Sequence, residues 1–201
     1  FLNSRGGIEA DLTISRTGEE EFYIVTGSAF GVHDRSWIEK HSPRDGSVVI
    51  DDLTEEFGVI NLCGPHARDV LQNVIDDDIS NETLPFSSYA DIRVAGHPVR
   101  AMRIGYVGEL GWEMHMGREN MPAVYKALAE AGSKYDIADA GYRAIDSLRM
   151  EKGYLYWSSD ISPDYNPFEA GLGFRVNMKK GDFIGRDALI SIMENGGPER
   201  K

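Results

Sequence analysis

A glycine-rich run between residues 104 and 113 carries residue types suited to holding a flat polar ligand. Its three glycines lie three positions apart, so the backbone there can approach a ligand or another strand closely. Tyr106 offers an aromatic ring and a hydroxyl, and Glu113 follows Trp112 in an apolar strand pattern. An inward-pointing carboxylate must be paired, and it can accept two parallel N–H bonds from the edge of a ring such as a pterin. A glycine-rich hairpin with an exposed Glu113 explains the same residues equally well.

A second carboxylate, Asp11, follows the pair Gly6-Gly7 in a segment of alternating apolar and polar residues. On a strand, Asp11 shares a face with Glu9 and Thr13. Taken alone, this pattern favours a solvent-facing acid. The functional alternative is a carboxylate aimed at an amine, where it holds a proton or stabilises a developing iminium.

A third group of candidates lies near residue 150. Arg149 falls in a predicted helix over residues 140–151, and Tyr154 follows that helix. From the residues alone, a surface arginine beside an aromatic core patch is the simplest interpretation.

Composition excludes several function classes. The net charge of −12 disfavours nucleic acid and anionic membranes as partners. One cysteine, Cys63, cannot form an internal disulfide and is expected to be a buried small hydrophobe. The five histidines show no metal-ligand spacing, so no metal site is expected. The sequence contains no phosphate-binding P-loop, no nucleophile elbow, and no dinucleotide fingerprint between a strand and a helix.

Hydrophobic periodicity predicts an α+β fold, with antiparallel sheets and covering helices. Predicted strands cover residues 8–16, 22–25, 57–62, 92–94, 99–106, 112–116 and 173–176. Predicted helices cover residues 31–41, 64–75, 119–135, 140–151 and 185–194. We expect residues 1–47 to be part of a smaller lobe carrying Asp11 and residues 48–194 to form the main lobe. The glycine-rich end, residues 195–201, is typical of a linker to a further domain.

Six motifs in a fixed order give the chain a family resemblance. They are LNSRGGIEADLTISR at 2–16, GPHARDVL at 64–71, RIGYVGELGWEMH at 103–115, AGYRAIDSLRMEKGY at 140–154, DISPDYNPFEAGLGF at 160–174 and DFIGRDAL at 182–189. Together they resemble the folate-binding half of sarcosine and dimethylglycine dehydrogenases. That half is related to the aminomethyltransferase (T protein) of the glycine cleavage system.

The resemblance implies a tetrahydrofolate in a central cavity. It places Asp11 near nitrogen 10 of the folate and the incoming one-carbon unit. It assigns Tyr106 and Glu113 to the pterin, and Tyr154 and Arg149 to the same cavity. The two acids at positions 11 and 113 are therefore expected to act on one bound folate.

Two departures favour the flavoenzyme branch of this family. The glycine cleavage proteins carry two acids before the leucine, where this chain has Ala10-Asp11. They also carry Ala-Arg-Asp where this chain has Ala144-Ile145-Asp146, so an arginine contact to folate is missing. These changes argue against transfer from an aminomethyl-lipoyl carrier.

The expected function is capture of an imine, formed from an N-methylglycine, as 5,10-methylenetetrahydrofolate. The resemblance implies an FAD-binding half upstream in the same chain and a barrel-like domain after the last helix, both outside these 201 residues. The expected location is the cytoplasm in bacteria or the mitochondrial matrix in eukaryotes. Two alternatives stay open: a non-catalytic homologue like the regulatory subunit of pyruvate dehydrogenase phosphatase, and a free-standing aminomethyltransferase.

Overall fold

The computed structural model describes residues 1–198, which contain six strands and five α-helices. The strands are β1 Thr13–Arg16, β2 Phe22–Val25, β3 Phe57–Cys63, β4 Tyr89–Val94, β5 His97–Met102 and β6 Gly111–Gly117. The helices are α1 Gly31–His41, α2 Ala67–Gln72, α3 Met121–Gly132, α4 Tyr142–Glu151 and α5 Arg186–Glu194. All strand pairs within the two sheets are antiparallel, which confirms the predicted α+β class.

The chain forms two compact units, and the first is discontinuous. It contains residues 1–49 together with residues 155–198. Its two-stranded sheet pairs Thr13 with Val25 and Arg16 with Phe22. The two stretches of chain are joined through Ile8, whose N–H donates to the carbonyl of Tyr165 at 2.9 Å and whose carbonyl accepts from the Trp157 indole at 2.9 Å.

The second unit, residues 50–154, is continuous and contains a four-stranded sheet in the order β3-β6-β5-β4. Side chains alternate between the faces of β6. Trp112, Met114 and Met116 are buried in the apolar core, together with residues from α2 and α3. Glu113 and His115 therefore lie on the opposite face of this central strand.

Several predicted elements are confirmed and others are shorter than expected. Helix 31–41 and strand 22–25 have the predicted bounds. The strand predicted over 8–16 is regular only from Thr13, because Ile8 and Glu9 hydrogen-bond to Tyr165 and Phe1 instead of extending the β1–β2 ladder. The strand predicted over 99–106 ends at Met102, before the glycine-rich turn.

The strand predicted at 173–176 is wrong. Gly173–Arg175 forms a 3-10 helix, because the N–H groups of Arg175 and Val176 donate to the carbonyls of Leu172 and Gly173 within the same turn. Cys63 is exposed, so its predicted burial is also wrong. It ends β3 on the face opposite the buried Leu62.

No helix among the described residues combines the length and apolar character needed to cross a bilayer. Over the same residues, no group of three or more histidine, cysteine or acidic side chains is arranged to hold a metal ion.

Candidate functional site

The glycine-rich run after β5 brings its backbone unusually close to β3. Gly111 pairs with Cys63, and a Cβ at Gly111 would lie 2.4 Å from the Leu62 carbonyl oxygen. Gly108 has a left-handed φ of 71°, and a Cβ there would meet the side chain of Lys152 at 2.1 Å. Glycine is therefore favoured at Gly111 by close packing against the β3 backbone and at Gly108 by its left-handed φ.

Tyr106, at the tip of this run, lies beside Tyr154, which follows α4. The two ring centroids are 6.1 Å apart and the ring planes differ by only 19°. Both residues are partly accessible to solvent: Tyr154 is 40% exposed and Tyr106 is half-buried. The structure thus brings together two of the predicted site residues as a pair of nearly parallel rings, a surface on which a flat heterocycle can stack.

Glu113 lies in the middle of β6, between Asn61 of β3 and Met102 of β5. Its side chain is 23% exposed, and one carboxylate oxygen is 3.6 Å from Nε2 of His115. His115 is itself buried, at 2% exposure, on the same face of β6. The carboxylate is therefore held on a rigid central strand, and enough of it faces solvent to accept hydrogen bonds from a ligand.

Arg149 is buried rather than on the surface. Its Nε donates to the Asp146 carboxylate at 2.8 Å, and its Nη2 lies 2.7 Å from the same oxygen. Its Nη1 donates to the Tyr154 carbonyl at 3.0 Å, and the Tyr154 N–H donates to the Arg149 carbonyl at 2.9 Å. Arg149 thereby fixes the backbone that carries one of the two stacked rings.

Asp11 belongs to the first unit, whereas Tyr106, Glu113, Arg149 and Tyr154 belong to the second. Asp11 is exposed and lies in irregular backbone before β1. Partial burial of its carboxyl raises the pKa of Asp11, the Phe1 α-amino group acts against this, and the negative charge of Asp34 adds to it. A carboxylate with a raised pKa accepts a proton more readily than an ordinary aspartate.

A chain of polar side chains in the first unit was not predicted from the sequence. His33 contacts two carboxylates: its Nε2 is 3.3 Å from Glu9 and its Nδ1 is 2.8 Å from Asp34. Asp34 is 2% exposed and also accepts a hydrogen bond from Thr26, while Asn3 donates to Glu9 at 3.1 Å. These residues share no sequence spacing that predicts their contact, because they come from the first residues of the chain, from the loop after β2 and from α1.

The chain matches the model of the GCVT N-terminal domain over residues 1–180. Among curated proteins, it is 42% identical to the mitochondrial sarcosine dehydrogenase of Mus musculus, in an alignment covering 94% of this chain and 22% of that protein. It is 41% identical to the mitochondrial dimethylglycine dehydrogenase of Mus musculus, covering 98% of this chain and 23% of that protein. The mitochondrial pyruvate dehydrogenase phosphatase regulatory subunit of the same organism is 34% identical, with the same coverage of 98% and 23%.

The chain thus spans less than a quarter of the length of these relatives. Among solved structures, the glycine cleavage system aminomethyltransferase T from Bartonella henselae matches 98% of this chain and 52% of its own, with a TM-score of 0.79 and 26% identity. This match confirms the predicted aminomethyltransferase fold. The chain is therefore a member of the GCVT N-terminal domain family.

Proposed function

We propose that this chain binds tetrahydrofolate and captures an imine-derived one-carbon unit as 5,10-methylenetetrahydrofolate. In this proposal it is the folate unit of an FAD-dependent dehydrogenase that oxidises sarcosine or dimethylglycine. The observation that carries the proposal is the parallel pair Tyr106 and Tyr154, in the same compact unit as the strand-held carboxylate of Glu113. The high identity to sarcosine and dimethylglycine dehydrogenases supports this branch of the family.

The residues present fit a reduced pterin. A pterin has a flat ring for stacking and an edge with adjacent N–H donors, and it matches an aromatic surface combined with a carboxylate acceptor. Glu113 would accept from that edge, and Tyr106 and Tyr154 would contact the ring. Arg149 would act through Tyr154, since its own guanidinium bonds to Asp146 and to the Tyr154 carbonyl.

Bound tetrahydrofolate would supply the two nitrogens that take up the one-carbon unit. Both nitrogens would lose their N–H proton as they take up the one-carbon unit, and the amine would depart with both protons, as an ammonium ion. Asp11 would accept a proton lost from folate and return it to the departing amine, a role that its raised pKa favours. Binding both reactants in one protein makes the addition effectively unimolecular. The sequence contains no dinucleotide fingerprint, so a flavin would bind in another part of a longer protein.

Ligand titration tests the folate assignment directly. The full chain is titrated with 5-formyltetrahydrofolate in a calorimeter, and Glu113→Gln is expected to weaken binding at least tenfold, because the amide presents only one acceptor oxygen to the pterin edge. Glu109→Gln is the matched control, since Glu109 is an exposed acid in the same run. Equal affinity for the parent and Glu113→Gln would remove Glu113 from the site.

One rival function is supported by the relative named as a phosphatase regulatory subunit. In that function the domain regulates a partner protein and catalyses no reaction. The two functions differ in whether the carboxylate of Asp11 is needed for a reaction. In an enzyme that includes the flavin domain, Asp11→Ala is expected to abolish formation of methylenetetrahydrofolate while amine oxidation continues and free formaldehyde accumulates. Unchanged methylenetetrahydrofolate production would refute the role of Asp11, and absence of folate binding would favour the regulatory function.

A further inference from the structure

Two arginines converge on one buried indole in the second unit. The guanidinium carbons of Arg68 and Arg103 lie 5.6 Å and 6.0 Å from the centroid of the Trp112 ring. Arg68 is on α2, Arg103 directly follows β5, and Trp112 is on β6. Three separate elements therefore bring two like charges to the same ring.

Neither guanidinium has a carboxylate within 4.0 Å among residues 1–198. Arg68 donates from Nη2 to the Asn81 side-chain oxygen at 2.8 Å, and Arg103 donates from Nη1 to the Leu84 carbonyl at 2.7 Å. The positive charge of Arg68 interacts with Asp78 over a longer distance, and the oxygens of Asp78 accept hydrogen bonds from Ser80 and Thr83. Neutral oxygens satisfy one donor of each arginine, and neither guanidinium forms an ion pair among residues 1–198.

The indole that both arginines approach also has an unpaired polar atom. Trp112 is 1% exposed, and its Nε1–H has no hydrogen-bond acceptor among the described residues. Burial lowers the pKa of the Arg103 guanidinium, and the positive charge of Arg68 acts in the same direction. The two guanidiniums and the indole N–H therefore all retain donors that no described residue accepts from.

We propose that Arg68 and Arg103, packed against Trp112, form a binding site for an oxyanion: a carboxylate or phosphate group of a small molecule. The guanidinium fork matches both groups, and charge-assisted hydrogen bonds to either are about twice as strong as neutral ones. Successive residues of β6 point to opposite faces, so this site is on the opposite face of the sheet from Glu113. It is therefore distinct from the proposed pterin contacts and does not depend on the proposed function.

Nuclear magnetic resonance of the full chain tests the site with defined probes. The backbone and the three indole N–H signals are followed while inorganic phosphate or glutarate replaces chloride at constant ionic strength, and Trp112→Phe identifies the Trp112 signal. We expect a saturable shift of the Trp112 indole signal, with the Trp37 and Trp157 signals unmoved. Saturation by phosphate alone identifies a phosphoryl ligand, and saturation by glutarate alone identifies a carboxylate ligand.

Three variants separate binding from a purely structural role. Arg68→Gln and Arg103→Lys are each expected to weaken the anion at least tenfold. Arg93→Gln, which removes an exposed arginine on β4, should leave the affinity unchanged. Arg68 is half-exposed on a short helix, so Arg68→Gln is expected to stay folded, which a dispersed spectrum would show. If Arg103→Lys unfolds, the affinity of Arg68→Gln alone decides the test. No saturable shift with either anion, or equal affinity in Arg68→Gln, would overturn the proposal.

Discussion

Asp11 carries a carboxyl whose ionisation is disfavoured by its surroundings. Burial and the charge of Asp34 raise its pKa, although the α-amino group of Phe1 opposes them. The folded state therefore binds a proton at Asp11 more tightly than the unfolded state does. Stability from this group is complete below the unfolded pKa of about 3.9 and is lost as the pH rises through the higher folded pKa. An ionised carboxyl at this position thus lowers stability at neutral pH.

Asp11→Asn is accordingly expected to raise the melting temperature at pH 7 and to have little effect near pH 3.5. The amide removes the cost of a partly buried charge, and that cost is absent when the carboxyl is protonated in both states. Thermal unfolding of the parent and the variant at both pH values measures the difference. Asp187→Asn serves as control, because the Asp187 side chain is 96% exposed. An equal gain at both pH values would contradict the ionisation argument.

Arg149 is the residue on which the geometry of the stacked rings depends most directly. Replacing it with methionine removes the ion pair with Asp146 and the bond to the Tyr154 carbonyl. We expect the free energy of unfolding to fall by about 2 kcal/mol, since Asp146 is more than half exposed and screening limits its share. Folate affinity should fall as well, because Tyr154 is no longer held. Arg143→Met, an exposed position on the same helix, should change neither denaturant unfolding nor ligand titration.

At the scale of elements, the contact between β3 and β6 supports the candidate site. Seven residue pairs join the two strands in register from Phe57–Gly117 to Cys63–Gly111. This register places Glu113 opposite Asn61 and directs Trp112 into the core. A single residue of slippage would exchange the two faces and bury the carboxylate.

Gly111→Ala is expected to destabilise this strand pair by about 1–3 kcal/mol. The new methyl group would lie 2.4 Å from the Leu62 carbonyl oxygen and 3.0 Å from Cα of Cys63, so the backbone must shift. Gly105→Ala is a matched control from the same run, because a Cβ at Gly105 meets no atom within 4 Å. Urea unfolding of the two variants measures the difference, and a loss as large for Gly105→Ala would show that the contact with Leu62 and Cys63 does not set the cost.

The same elements show which features local sequence patterns predict and which they do not. The residue types at 112–116 predicted the strand, because strand preference is a local property, but they left open whether Glu113 points inward. Helix α1 was predicted to the residue, since Pro43 closely follows its end. The 3-10 turn at Gly173 was missed because Phe174 and Val176 suit a strand equally well.

Local sequence patterns could not predict contacts between distant segments of the chain. Arg149 was expected on the surface. Its burial depends on hydrogen bonds to Asp146 and to the main chain of Tyr154, and hydrophobic periodicity does not reveal such bonds. The contact of His33 with Glu9 depends on how α1 packs in the first unit. The pairing of Tyr106 with Tyr154 depends on tertiary packing between residues 48 positions apart in the chain. The family motifs pointed to these tyrosines, and the geometry of the pair came only from the structure.

At the scale of the whole molecule, the two units differ in how the chain builds them. The second unit is one continuous stretch, residues 50–154, and it contains every member of the large apolar core cluster. The first unit needs two separated stretches, joined by the bonds of Ile8 to Tyr165 and Trp157. Each fully buried large apolar side chain contributes about 1.5–3 kcal/mol, so a complete core can offset the ordering entropy of its own segment.

Residues 50–154 expressed alone are therefore expected to fold cooperatively, with a single urea transition and native-like circular dichroism. Residues 1–49 alone are expected to stay unfolded, because the partners of Ile8 lie beyond residue 155. The matched control is residues 50–154 carrying Leu71→Ala, which should lose about 2–5 kcal/mol, as Leu71 is fully buried in the core. A broad, non-cooperative transition for the unmodified 50–154 segment would show that its core depends on the first unit, and the candidate site would then have to be studied only in the complete chain.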